Sequence, residues 1–138
     1  VLVKDISPGS SSFNANNFTD VNGTLFFGAN NGTNGHELWK SDGTVNGTIL
    51  VKDISPGSSS SSPAYLTDLN GTLFFRANNG TNGYELWKSD GTENGTILVK
   101  DISPGSSSSS PNHLTDINGT LFFMATDYFG SELWKTDL

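Results

Sequence analysis

A repeat of fixed spacing limits the fold of this chain more than any other feature. "VKDISPGSSS" begins at Val3, Val51 and Val99, and "NGTLFF" begins at Asn22, Asn70 and Asn118, so both phrases mark a period of 48 residues. "ELWKSDGT" fills residues 37–44 and 85–92, and "ELWKTDL" fills residues 132–138. The third copy carries one deletion, with "MATDYFGS" standing where the second has "RANNGTNGY", so Trp134 follows Trp87 by 47 residues. Periods of this size belong to architectures in which one supersecondary unit cannot bury its apolar surface alone and stacks on its neighbours.

Within the second copy, four extended runs rich in β-branched and aromatic residues lie at 65–69, 72–78, 84–89 and 96–102, bounded by Gly, Asn, Asp, Ser or Pro. Asn70-Gly71 joins the first two runs as a two-residue connection of the type I′ kind. "DGTENG" joins the last two, with Asp90 suited to an Asx-turn and the glycines to positive φ. No helical periodicity is visible, and proline occurs only in the Ser-rich connections. Each unit therefore reads as an antiparallel meander of four strands. In the run 72–78, Leu73, Phe75 and Ala77 alternate with Phe74, so both faces are apolar and both need a neighbouring sheet. The expected fold is all-β: a β-propeller of four-stranded blades, three per chain, in a single repeat domain over 1–138 with blades at about 18–54, 66–102 and 114–137.

The opening "VLVKDI" aligns with the fourth run of a repeat, and the third copy ends after its third run. Residues 1–6 are thus expected to supply the strand that completes the blade at 114–137, closing a ring and covering a sheet edge. Three blades turning through roughly 120° each would leave wedges too open to pack. A two-fold homodimer that exchanges N-terminal strands gives a six-bladed ring, and is the expected assembly.

The phrases "ELWKSDGTVNGTILVKDISPGSSS" and "NGTLFF" resemble the bacterial ELWxxDGT-repeat proteins over nearly the whole chain. The resemblance implies secreted or surface-anchored bacterial chains with propeller-like repeats, and it implies no enzymatic activity and no catalytic residues. The shortness of this chain and the near-identity of its copies depart from that pattern, and point to recent duplication, an excised piece or deliberate design.

With 33% hydrophobic residues, including nine Phe, three Tyr and three Trp, a packed core is feasible. A formal charge of −7, from 14 acidic and 7 basic residues without a Lys/Arg cluster, argues against nucleic acid and anionic membrane as partners. The apolar runs are too short to span a bilayer, and the first residues lack the pattern of a signal peptide. With no cysteine, disulfides and Cys-based metal sites are excluded.

Candidate sites follow from comparing the copies. Asn17, Tyr65 and His113 are equivalent, as are Gly28, Arg76 and Met124, and His36 matches Tyr84. All lie near the side where the Ser-rich and "NNGTNG" connections emerge, together with the altered loop holding Tyr128 and Phe129. Tyr65, Arg76, Tyr84, His36, His113 and Tyr128 are therefore the candidate ligand-binding residues, for a glycan or a protein. The plain alternative is that exposed positions vary because nothing constrains them. Asp20, Asp68 and Asp116 recur in the innermost run and could line a channel holding Ca²⁺, or simply bond amides of the hairpin turn; no other cofactor is expected. Glu37, Glu85 and Glu132 are read as structural hydrogen-bonding groups, and the repeated lysines as exposed edge charges. Catalytic constellations are missing, since the only histidines, His36 and His113, occupy different repeat positions. The chain thus reads as a non-enzymatic extracellular scaffold or binding module, with a lectin-like role second and a carboxylate-only glycosidase third.

Overall fold

The computed structural model describes residues 1–9 and 11–137. The described residues form β-strands and connections, without a helix. The first sheet consists of β1 (Asn16–Val21), β2 (Thr24–Asn30), β3 (His36–Ser41) and β4 (Ile49–Lys52). The second repeats it with β5 (Ala64–Leu69), β6 (Thr72–Asn78), β7 (Tyr84–Ser89) and β8 (Ile97–Lys100). The third has β9 (Asn112–Ile117), β10 (Thr120–Asp127) and β11 (Gly130–Asp137). Strands neighbour one another in chain order within each sheet, and every pairing is antiparallel.

The turns follow from residue chemistry. Asn70 (φ 51°) and Gly71 (φ 85°) both have positive φ, as the tight β5–β6 hairpin requires. Between β7 and β8, the Asp90 carboxylate accepts bonds from the Thr92 hydroxyl and amide, which hold it below its ordinary pKa.

The sheets pack face to face. Leu73, Phe75, Ala77 and Trp87 of the second sheet meet Val21, Phe26, Leu38 and Val51 of the first. Phe74 and Leu86 point the other way, onto Leu121, Phe123 and Ala125 of the third. The middle sheet is thus apolar on both faces because both are covered, and each fully buried Phe contributes about 1.5–3 kcal/mol. The first strands adjoin one another, β1 against β5 and β5 against β9. Lysines read from sequence as edge charges also join the sheets: the Lys40 ammonium donates to Gly91 O (2.7 Å) and Lys52 to Thr96 O (3.1 Å). Their long stems reach turn carbonyls of the next sheet.

The N-terminal segment differs from its expected form. Residues 1–6 form no strand, and among the described residues no strand pairs with the outer edge of β11. The segment is nonetheless seated like its repeats. Ile6 is buried on Phe27, Ala29 and Trp39 of the first sheet, as Ile54 is buried on the second and Ile102 on the third. The Lys4 ammonium donates to Thr48 O (2.7 Å), matching Lys52 on Thr96 O. Asn30 N donates to Phe13 O (2.9 Å), as Asn78 N does to Ser61 O (3.0 Å). Its position is therefore that of a fourth strand laid on the next sheet, without a third strand beside it.

A candidate binding face

Each first strand holds one residue more than its partner can match. The registers slip between Asn16 and Thr19 and between Ala64 and Thr67, and β9 slips opposite Phe122 and Met124. The bulged residues Asn17, Tyr65 and His113 are all left-handed, with φ of 57°, 57° and 53°. Asn and His adopt this conformation readily, and Tyr does so rarely, so the fold imposes the shape irrespective of the side chain. For Tyr65 the strain is on the order of 1–3 kcal/mol.

In the second sheet the bulge brings three candidate residues together. The Arg76 guanidinium lies 4.8 Å from the Tyr65 ring centroid and 5.2 Å from that of Tyr84. The Arg76 side chain forms no hydrogen bond or ion pair with any described residue, and its Nε is buried and unpartnered. A cation held by two ring faces alone keeps its fork of donors unspent. Arg76 also walls a groove of about 340 Å³ between the first two sheets, lined further by Asn16, Asn17, His36, Ser62 and Pro63. The Asn17 amide donates to Asn16 Oδ1 (2.9 Å) and to Pro63 O (3.3 Å), tying the two walls together. His36 Nε2 lies 3.3 Å from Asn14 O. Gly28 leaves room for this arrangement, since a Cβ there would come within 2.5 Å of His36 Cε1.

The other candidates lie elsewhere. His113 lines a separate apolar groove with Ile117, Phe122, Met124 and Leu133 on the free face of the third sheet. Tyr128 projects from the β10–β11 turn, edge-on to Phe129 at 5.4 Å, and both rings are exposed. Asp20, Asp68 and Asp116 each accept an amide of the hairpin turn, from Gly23, Gly71 and Gly119, at 2.8 Å. Among the described residues no three His, Cys, Asp or Glu side chains gather as a metal site. Asn16, Ser62 and Pro63 of the groove were missed from sequence, because nothing in one repeat reveals what the next sheet places beside it.

A second feature holds the Ser-rich connections. The buried Glu37 carboxylate accepts Ile54 N (3.0 Å), Ser55 N (3.3 Å), Ser61 N (2.9 Å) and the Ser61 hydroxyl. Glu85 repeats the pattern on Ile102, Ser103 and Ser109. Burial pushes the Glu37 carboxyl up to about 7, against the pull of those hydrogen bonds. Glu132, their equivalent in the third sheet, is exposed. These bonds order the loops that carry the face.

Compared with models of known families, with curated proteins and with solved structures, the chain gives no match.

Proposed function

We propose that this chain is a non-enzymatic binding scaffold: half of a six-bladed β-propeller whose loop-rich face recognises a ligand, in a secreted or surface-exposed bacterial setting like that of the ELWxxDGT-repeat proteins it resembles. The observation that carries the assembly is the seat of residues 1–6, which lie on the first sheet as a fourth strand does. For residues 1–138 taken by themselves, a second copy supplies the missing neighbour at each of two identical joints.

Transferring the β7–β8 register, in which Leu86, Trp87 and Lys88 face Lys100, Leu98 and Ile97, sets Leu133 opposite Lys4, Trp134 opposite Leu2 and Lys135 opposite Val1 of the other copy. Glu132 then accepts Ile6 N and Ser7 N. The faces brought together are apolar on both sides: Phe18 and Leu25 are exposed on the first sheet, Ile117 and Leu133 on the third. Covering them offsets the cost of association.

A scaffold rather than an enzyme is favoured by how the carboxylates are used. Glu37 and Glu85 hold connections, and Asp20, Asp68 and Asp116 hold turns. Light scattering of the purified chain should give twice its 14.7 kDa mass. A monomer across the micromolar range would refute the ring.

A lectin-like role is the second reading, favoured by the polar groove beside Tyr65, Arg76 and Tyr84.

A further inference from the structure

We propose that the groove between the first two sheets binds an acidic saccharide, with Arg76 pairing to the oxyanion carried on its sugar ring. The inference rests on reading the loop-rich face as a recognition surface, and it does not depend on ring closure, since every wall of the groove lies within one chain.

The unspent donors of Arg76 come first. In a chain of net charge −7, a half-buried guanidinium without a carboxylate partner is out of place unless an anion arrives from outside. No Asp or Glu lines the groove, so nothing there competes for Arg76 or repels an incoming anion. Contact with the Tyr65 and Tyr84 rings restrains the guanidinium before the ligand binds, which lowers the entropy lost on pairing.

The remaining walls select a saccharide over a bare anion. Asn16, Asn17, Ser62 and His36 offer both donors and acceptors, suited to sugar hydroxyls. Tyr65, partly exposed beside the groove, offers an aromatic surface to the C–H face of a sugar ring. The volume of about 340 Å³ lies at the small end of ligand pockets and suits one or two rings of a longer chain.

This composition is specific to the first two repeats. The third carries Met124 and Ser131 where the second carries Arg76 and Tyr84, and its bulge residue His113 faces an apolar groove.

The test is calorimetric titration of the intact chain with oligogalacturonate, a sulfated dextran oligomer, neutral dextran of matched length, a glutamate oligomer and sodium sulfate. The expected result is binding of the uronate or the sulfate ester, with the stronger of the two identifying the anion. That binding should weaken as salt is raised. Arg76→Met, which copies the third repeat, should weaken it at least about tenfold while the chain stays folded, its melting temperature falling only by the few degrees that losing the ring contacts costs. Gly28→Ala, pushing His36 and Asn16 into the groove, should weaken it as well. Equal binding of neutral dextran, lost in Tyr65→Ala but kept in Arg76→Met, would overturn the acidic class and leave the recognition face standing. Equal binding of the glutamate oligomer or of sulfate alone would overturn the saccharide. No binding of any probe would overturn both the site and the lectin-like reading.

Discussion

Tyr65 shows how one side chain can be held against its own preference. Its left-handed backbone is strained, and the guanidinium of Arg76 against its ring offsets part of that cost. In a chain already carrying Arg76→Met, Tyr65→Asn should therefore stabilise the fold by about 1 kcal/mol, raising the melting midpoint by about 2–4 °C. In the unaltered chain the gain should be smaller, because Arg76 loses one of its rings. Scanning calorimetry of the four chains measures the difference. Glu37 makes a second residue-level prediction. Its carboxyl titrates near 4.5 when unfolded and at about 7 when folded, so the folded chain holds an extra proton between those values. Glu37 therefore contributes its full stability below pH 4.5 and loses it as the pH rises through 7. Glu37→Gln lowers stability overall, since its single oxygen can accept from Ile54 N or from Ser61 N but not from both, and its NH2 faces the other donor. It should also flatten the decline in urea midpoint between pH 4.5 and 7; an unchanged slope would assign that decline to other groups.

At the scale of elements, strands buried on both faces are the least tolerant. Trp87 sits between the first two sheets and is buried, so Trp87→Ala should cost about 3–5 kcal/mol in urea unfolding. Trp134 is only half-buried on its open-edged sheet, and Trp134→Ala should cost clearly less in the monomeric state. These middle strands were also the most legible in sequence. The runs at 72–78 and 84–89 coincide with β6 and β7, because alternation and turn residues both mark them. The fourth strand is shorter than the run at 96–102: β8 ends at Lys100, since Ile102 N leaves the ladder to bond Glu85. The bulges could not be read, because Asn17, Tyr65 and His113 share no chemistry that announces a left-handed backbone. The groove was half legible. Differences among copies singled out Arg76, Tyr84 and His36, whereas Asn16 and Pro63 join them only through the packing of one sheet on the next.

At the scale of the whole molecule, the proposed joint between two copies makes a covalent prediction. The chain has no cysteine, so Val1→Cys together with Lys135→Cys introduces the only thiols. Under mild oxidation the double variant should give a cross-linked pair on a denaturing gel, and neither single variant should join Val1 to Lys135. Failure to cross-link despite a dimeric mass would place the interface elsewhere. Such a joint would also differ chemically from the internal contacts. Phe13 stands where Ser61 and Ser109 give a hydroxyl to the buried Glu, so Glu132 would meet a more apolar partner there.

The bulge shared by the three sheets has a consequence for how such a protein can change. One backbone shape is built three times and carries an amide, a phenol and an imidazole in turn. Backbone geometry and side-chain chemistry are thereby uncoupled at that position. Mutation can change the side chain presented there one repeat at a time without changing the backbone that presents it, so repetition acts as a reserve of evolvability.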